Sequence, residues 1–254
     1  MPAAADAPLS VTHRPALWRR LIAEYVGSGL LAAIVIGSGI AATTLSPHAL
    51  GLELFENAAA TGTGLYVLIV TFAPVSGAHF NPIVSLVDAT YRRLSWLDAA
   101  LYCGAQILGC VSGAVLANLM FSHPAMSLST HTRATPSHDL SEIVATAGLI
   151  VVIFALARSR RSHLAPAAVG AYIAAAYFFT SSTSFANPAI VIGRMFSNTF
   201  AGIAPSSAPA FIVAELLGGC AGVALLRALF PEVVPAEAAA TRASRAAPLA
   251  EEQP

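Results

Sequence analysis

The chain contains no lysine; its 13 basic side chains, histidine aside, are all arginine. Charge of either sign is scarce, at 10% of the 254 residues, against about a quarter in an ordinary soluble domain. That shortage excludes a conventional solvated surface. The formal net charge is +0, so no basic footprint for nucleic acid is present and no such partner is expected. Cysteine is sparse as well. Cys103, Cys110 and Cys220 all fall within apolar stretches, which excludes a disulfide scaffold and leaves them as small packing residues.

What the chain has is hydrophobicity, 56% of residues, gathered into long blocks. A block of about 20 apolar residues crosses a bilayer as a helix. Six regions qualify or nearly so: about Trp18–Ala42, Ala58–Val75, Trp96–Phe121, Ser141–Ala157, Leu164–Thr183 and Ala208–Phe230. The expected protein is polytopic, with the lipid bilayer as its solvent. No small-residue cleavage site clearly ends the first block, so a retained helix is expected rather than a signal peptide. The segment Pro231–Pro254 is rich in Ala, Pro and Glu and reads as a disordered tail.

The arginines orient the chain. Arg14, Arg19 and Arg20 flank the start of block one, Arg92 and Arg93 follow block two, Arg158, Arg160 and Arg161 follow block four, and Arg227, Arg242 and Arg245 close block six or follow it. The alternate loops carry Arg133 and Arg194 against Glu53, Glu56 and Asp139. Basic residues collect on the cytoplasmic side, so both termini are expected inside, in a cell (inner) membrane. An even number of crossings requires the same arrangement.

The blocks also repeat. AQILGCVSGAVLANLMF, from Ala105, aligns with AELLGGCAGVALLRALF, from Ala214, and both keep Gly-xxx-Gly in register, Gly109/Gly113 and Gly218/Gly222. Small residues one turn apart let helix backbones approach in lipid. AEYVGSGLLAAIV, from Ala23, likewise matches SEIVATAGLIVVI, from Ser141. Each half is three spans with an Asn-Pro segment between the second and third: SGAHFNPIVSL in one, SFANPAIVIGR in the other. Three is odd, so the second half runs through the membrane inverted. Such repeats place a pathway near the midplane, flanked by broken helices.

Pro82 and Pro188 suit the first position of a helix, where the missing N–H has no partner to lose. Asn81 and Asn187 suit the cap, their side-chain oxygens accepting N–H groups while their amide NH2 groups point outward as donors. PIVSLVDAT and PAIVIGRMF are long enough for half-spans. The two half-helices are expected to enter from opposite faces and meet at Asn81 and Asn187, joining two positive helix ends at a polar, non-helical junction that lines a water-filled path. Such a centre favours neutral polar molecules and repels cations.

At these motifs the sequence resembles an aquaporin of the major intrinsic protein family, over about Trp18 to Phe230. The resemblance implies an all-α membrane protein of six transmembrane helices plus two re-entrant half-helices in an inverted repeat. It also implies a homotetramer with one pore per subunit and no cofactor or metal. The expected organisation is an N-terminal cytoplasmic segment (1–16), one channel domain (17–230, with repeats at about 17–121 and 139–230) and the tail (231–254). The first motif departs slightly from the family pattern, reading Asn81-Pro82-Ile83 where Ala is usual, whereas Asn187-Pro188-Ala189 is intact. Glu24 and Glu142 match the family's buried glutamates behind the half-helix loops, and His79 matches its histidine near the cytoplasmic end of the pore, with packing as the alternative. Gln106 and Glu215 share one repeat position, with interhelical hydrogen bonding favoured over a subunit-interface or functional role. His123, His131 and His138 fit no zinc spacing and are expected in a solvated loop.

In most relatives of this kind an arginine follows the second Asn by three residues; here that residue is Ile190. Arg194 lies on the same half-helix face roughly 5 Å further along, and an interfacial, snorkelling placement is favoured over one facing the pore mouth. The other constriction positions count back to Thr61, Ala175 and Ser184. This set is small and lacks the arginine, so the expected pore is broad and permissive. With FFTSSTSFANP and NTFAGI, the departure resembles a bacterial aquaglyceroporin subgroup associated with arsenic-resistance genes. That resemblance implies passive passage of arsenite or methylated trivalent arsenicals, glycerol and water. The rival reading is an ion-coupled secondary transporter, since broken helices and buried glutamates occur there too. A membrane enzyme would need a nucleophile–base or metal constellation that the spans do not contain.

Overall fold

The computed structural model of the chain describes residues 14–230. Most of the expected N-terminal segment (1–16) and all of the expected tail (231–254) lie outside those residues. Eight α-helices follow in order: α1 Leu17–Leu45, α2 Leu50–Ser76, α3 Pro82–Thr90, α4 Trp96–Met120, α5 Pro136–Arg158, α6 Ala165–Phe179, α7 Pro188–Arg194 and α8 Ala208–Leu229. Six helical stretches are long and apolar enough to cross a membrane, that of α6 including the preceding 3₁₀ turn Ser162–Leu164. The six spans and the two half-helices fall where the sequence places them. The main difference is that α2 starts at Leu50, well before the apolar block at Ala58. Its first turns carry polar residues that the bundle uses: Glu56 accepts from Ser46 Oγ at 2.6 Å, and Asn57 Nδ2 donates to Val35 O and Ser38 Oγ at 2.9 and 2.8 Å.

Local chemistry sets the ends. Ser95 Oγ accepts from Asp98 N at 3.0 Å to cap α4, and Thr135 Oγ1 accepts from His138 N at 3.3 Å to cap α5 with Pro136 behind it. Helix α2 ends at Gly77, whose φ of 93° lies in the left-handed region that glycine enters without a steric penalty.

The two halves pair equivalently. The most extensive helix partnerships are α1 with α4 and α5 with α8, and the repeated Gly-xxx-Gly sequences form both contacts. A Cβ on Gly113 would stand 2.0 Å from Gly29 O, and one on Gly109 2.3 Å from Tyr25 O; on Gly218 and Gly222 it would meet Ile143 O at 2.6 Å and Ala147 O at 2.8 Å. Real atoms do not approach so closely, so the backbones touch because the side chains are missing. Each half-helix lodges against the opposite half: α7 packs on α4 and α1, and α3 packs on α8 as well as α4. The exchange locks the halves together. Large apolar side chains such as Leu97, Leu108, Val213 and Leu217 face outward, whereas Glu24, Gln106, Glu142 and Glu215 are fully buried. An inside-out polarity of this kind suits a lipid surround.

Candidate solute pathway

The site is built where the chain leaves α2 and α6 and turns back into α3 and α7. In the first repeat Ala78 and Phe80 adopt φ of 51° and 49°; in the second, Ser184 and Ala186 adopt 48° and 47°. These are the same two positions relative to Asn81 and Asn187. A left-handed non-glycine residue costs roughly 1–2 kcal/mol, so something must hold each loop. Glu24 holds the first. Its Oε1 accepts from Ser76 Oγ at 2.6 Å and His79 N at 3.0 Å, and its Oε2 from Phe80 N at 2.7 Å and Gln106 Nε2 at 2.8 Å. Glu142 does the same in the second, accepting from Phe185 N at 3.0 Å and Ala186 N at 2.7 Å. Glu215, at the repeat position of Gln106, accepts from Asn187 N at 2.8 Å. All four side chains therefore bind loop or helix groups inside the bundle.

Both asparagines cap their half-helices. Asn81 Oδ1 accepts from Ile83 N at 2.9 Å, and Asn187 Oδ1 from Ala189 N and Ile190 N at 3.0 and 3.3 Å. The inverted loops place them head to head. Asn81 Nδ2 donates to Ala186 O at 2.6 Å, and Asn187 Nδ2 donates to Phe80 O at 2.7 Å. One amide hydrogen of each Asn is thus taken by a carbonyl that the left-handed residue turns inward, and the second is left for the path. Each amide group is therefore half committed, where the sequence suggests it wholly free. Asn81 and Asn187 line one cavity of about 170 Å³, together with His79, Asp88 and Arg93 toward one face and Thr61, Ser184, Ile190 and Arg194 toward the other. Two Asn-capped half-helices meeting inside an inverted three-plus-three repeat decide the assignment, and the model of the Major intrinsic protein family matches residues 11–186.

The chain belongs to the major intrinsic protein family. It is 48% identical over 219 residues to the aquaglyceroporin AqpS of Rhizobium meliloti (strain 1021), covering 86% of this chain and 93% of that protein. It is 29% identical over 197 residues to the aquaporin NIP2-1 of Oryza sativa subsp. japonica, covering 74% of this chain and 64% of the plant protein. Among solved structures, the aquaglyceroporin from Plasmodium falciparum superposes with a TM-score of 0.66 over 85% of this chain and 98% of that one, at 19% identity. At that identity the likeness concerns the fold alone.

Within this major intrinsic protein, three of the four counted constriction positions stand on the cavity wall: Thr61, Ser184 and Ile190. Ala175 does not. It is exposed on the outer face of α6, and Tyr177, two residues later, turns inward instead, with its OH 3.1 Å from Thr61 Oγ1. Counting back along an ungapped helix misses the rotation that packing on α2 imposes, and two residues on a helix is more than half a turn. The signal in the sequence was a tyrosine hydroxyl in an apolar helix, and Tyr172, which donates to Ala145 O at 3.0 Å, shares it. The lining hydroxyl of Ser184 has no hydrogen-bond partner among the described residues.

Arg194 also departs from expectation. Its side chain does not snorkel: it is 2% exposed and lines the cavity. Its Nε donates to Ala201 O, and its guanidinium carbon sits 3.5 Å from the centroid of the Phe185 ring. Neither Phe185 nor the carbonyl loop at Ala201 could be placed beside Arg194 from local sequence. At the other end His79 is 12% exposed; its Nδ1 lies 3.0 Å from Ser85 Oγ and its Nε2 3.8 Å from Asp88 Oδ2. Gly77, which carries no side chain, packs against that imidazole. The residues Ile83 and Ala189 are buried behind the asparagines, in the first turn of each half-helix, beside Pro82 and Pro188.

Proposed function

We propose that the chain is a passive channel for small uncharged polar solutes, with arsenite or methylated trivalent arsenicals, glycerol and water as candidates. The observation that carries this reading is the single cavity that passes both Asn81 and Asn187. Two helix N-termini converge there, supplying donors and a positive potential that accept oxygen atoms and oppose cations. The constriction is formed by Thr61, Tyr177, Ser184 and Ile190. His79 lines the opposite end, and Glu24 and Glu142 serve as scaffold. Arsenite is neutral at physiological pH and presents hydroxyls as glycerol does, so one wall chemistry serves both. The relative named an aquaglyceroporin supports a glycerol-sized substrate. The protein would act as a homotetramer in the cell (inner) membrane, both termini cytoplasmic, and catalyse no reaction.

Ion coupling would need a carboxylate free to alternate its exposure. Glu24 and Glu142 instead accept hydrogen bonds on both oxygens, mainly from backbone N–H groups. The test is stopped-flow permeability of proteoliposomes to water, glycerol and arsenite. Saturation-free, downhill flux is expected. Accumulation against a concentration gradient, driven by an imposed proton or sodium gradient, would replace the channel reading with the transporter.

A further inference from the structure

The position three residues after Asn187 is apolar, yet the cavity is not without a guanidinium. Arg194 reaches it from the end of α7. Its surroundings are unusual for a buried cation. No carboxylate of the described residues stands in ion-pair contact with it. Its Nε is used by Ala201 O, and no described acceptor takes a hydrogen bond from Nη1 or Nη2. Buried N–H groups need partners, and those two nitrogens sit on a side chain that lines the cavity.

A second arginine explains how the first is held. Arg133, from the loop between α4 and α5, donates from Nε to Gly202 O at 2.7 Å and from Nη2 to Phe200 O at 3.0 Å. Three successive carbonyls, Phe200, Ala201 and Gly202, are therefore bound by two guanidinium groups. Arg133 also lies 5.5 Å from the Phe185 ring, against 3.5 Å for Arg194. Burial pushes the Arg133 guanidinium below its ordinary value. The two arginines differ in one respect: Arg133 spends its donors on backbone, whereas Arg194 faces the path.

We propose that Arg194, fixed by Ala201 O and the Phe185 ring, is the specificity-determining residue of this end of the pathway, one turn beyond Ile190. Its outer nitrogens bind the oxygen atoms of a passing neutral hydroxylated solute, and its charge turns back cations. Arg133 is a positioning residue that acts through the Phe200–Gly202 carbonyls. The wall at Ile190 then contributes apolarity, so the path meets a cationic donor and the ring of Thr61, Tyr177, Ser184 and Ile190 in sequence. This assignment rests on the channel reading above.

The experiment uses the full chain in proteoliposomes, with water, glycerol, erythritol and sodium as probes, and the variants Arg194→Ala, Arg194→Gln and Arg194→Lys. Gln retains an amide donor for Ala201 O without the charge, and Lys retains the charge without the planar fork. For Ala and Gln the erythritol-to-water permeability ratio should rise about five-fold or more, with a new sodium flux, because a fixed charge and a steric limit are lost together. Lys should keep sodium out. A loss of all flux cannot mimic a selective rise, so misfolding does not imitate the expected result. A ratio within about two-fold of wild type for Arg194→Gln at normal membrane abundance overturns the proposal. So does absence of both Arg194→Ala and Arg194→Gln from the membrane, since Arg194 would then be a folding residue. Active accumulation by the wild-type protein would instead sink the channel reading; a flat series of variants on a passive wild type sinks this inference alone.

Discussion

Glu142→Ala removes the acceptor of two buried backbone N–H groups, Phe185 at 3.0 Å and Ala186 at 2.7 Å. A buried donor left unpaired costs about 1–3 kcal/mol, so the pair amounts to about 2–6 kcal/mol. The effect falls on a segment already under strain, for Ser184 and Ala186 are both left-handed. Freed of the carboxylate, the loop is expected to relax toward ordinary backbone angles. That movement carries away Ala186 O, which accepts from Asn81, and Asn187, which donates to Phe80 O. The junction of the half-helices would be lost with it. At about 2–4 °C per kcal/mol for a chain of this size, the thermal midpoint in detergent should fall by about 5–20 °C. Glycerol flux in proteoliposomes matched for protein should drop to background. Glu142→Gln keeps one acceptor oxygen but sets an NH2 against the second N–H, so its midpoint should fall by roughly half as much. A Glu142→Ala protein with wild-type glycerol permeability and a midpoint within about 1 °C of wild type would refute the claim that this carboxylate holds the loop.

Other substitutions probe other parts of the argument. Gly113→Leu must push α1 from α4, since even a Cβ would stand 2.0 Å from Gly29 O, whereas a Cβ on the exposed Gly104 meets nothing within 4 Å, which leaves Gly104→Leu as the control. The monodisperse yield in detergent should collapse for the first and hold for the second. Asn187→Asp forfeits the donor to Phe80 O and places a carboxylate between two positive helix ends. Neutral-solute flux should fall and a sodium leak appear in conductance measurements; wild-type flux with intact cation exclusion would count against the role of Asn187. Ile190→Arg adds a guanidinium at the end of the cavity that Arg194 already lines. Water and glycerol permeabilities should fall together in stopped-flow light scattering, because like charge and lost width act on both.

Much of the architecture was legible because it depends on local chemistry and on the bilayer. Span length follows from hydrocarbon thickness, and the Asn-Pro pairs specify helix starts through a missing N–H and a capping oxygen. The internal repeat, with its odd number of spans, gives the inversion. Even the backbone contacts of α1 with α4 and α5 with α8 were written in the glycine spacing, since close approach needs small residues at the same turn. Glu24 and Glu142 were legible through the family resemblance, as ionisable groups within spans that match its buried glutamates.

What lines the path was decided by tertiary structure. Helix α6 turns Tyr177 inward and Ala175 outward according to how it packs on α2, and a rotation of a single residue moves a side chain by about 100° around the axis. Arg194 reads locally as an interfacial cation on a half-helix. Only the fold brings the Ala201 carbonyl and the Phe185 ring to it and turns it into the cavity. The asparagine amides similarly find acceptors in the opposite repeat, at carbonyls presented by left-handed residues that no local propensity favours. Sequence alone therefore determined which segments cross the membrane and where they break, because those are one-dimensional properties of hydrophobic length and capping. The identity of the groups facing the solute depended on contacts between distant segments, and those exist only once the two halves have closed on each other.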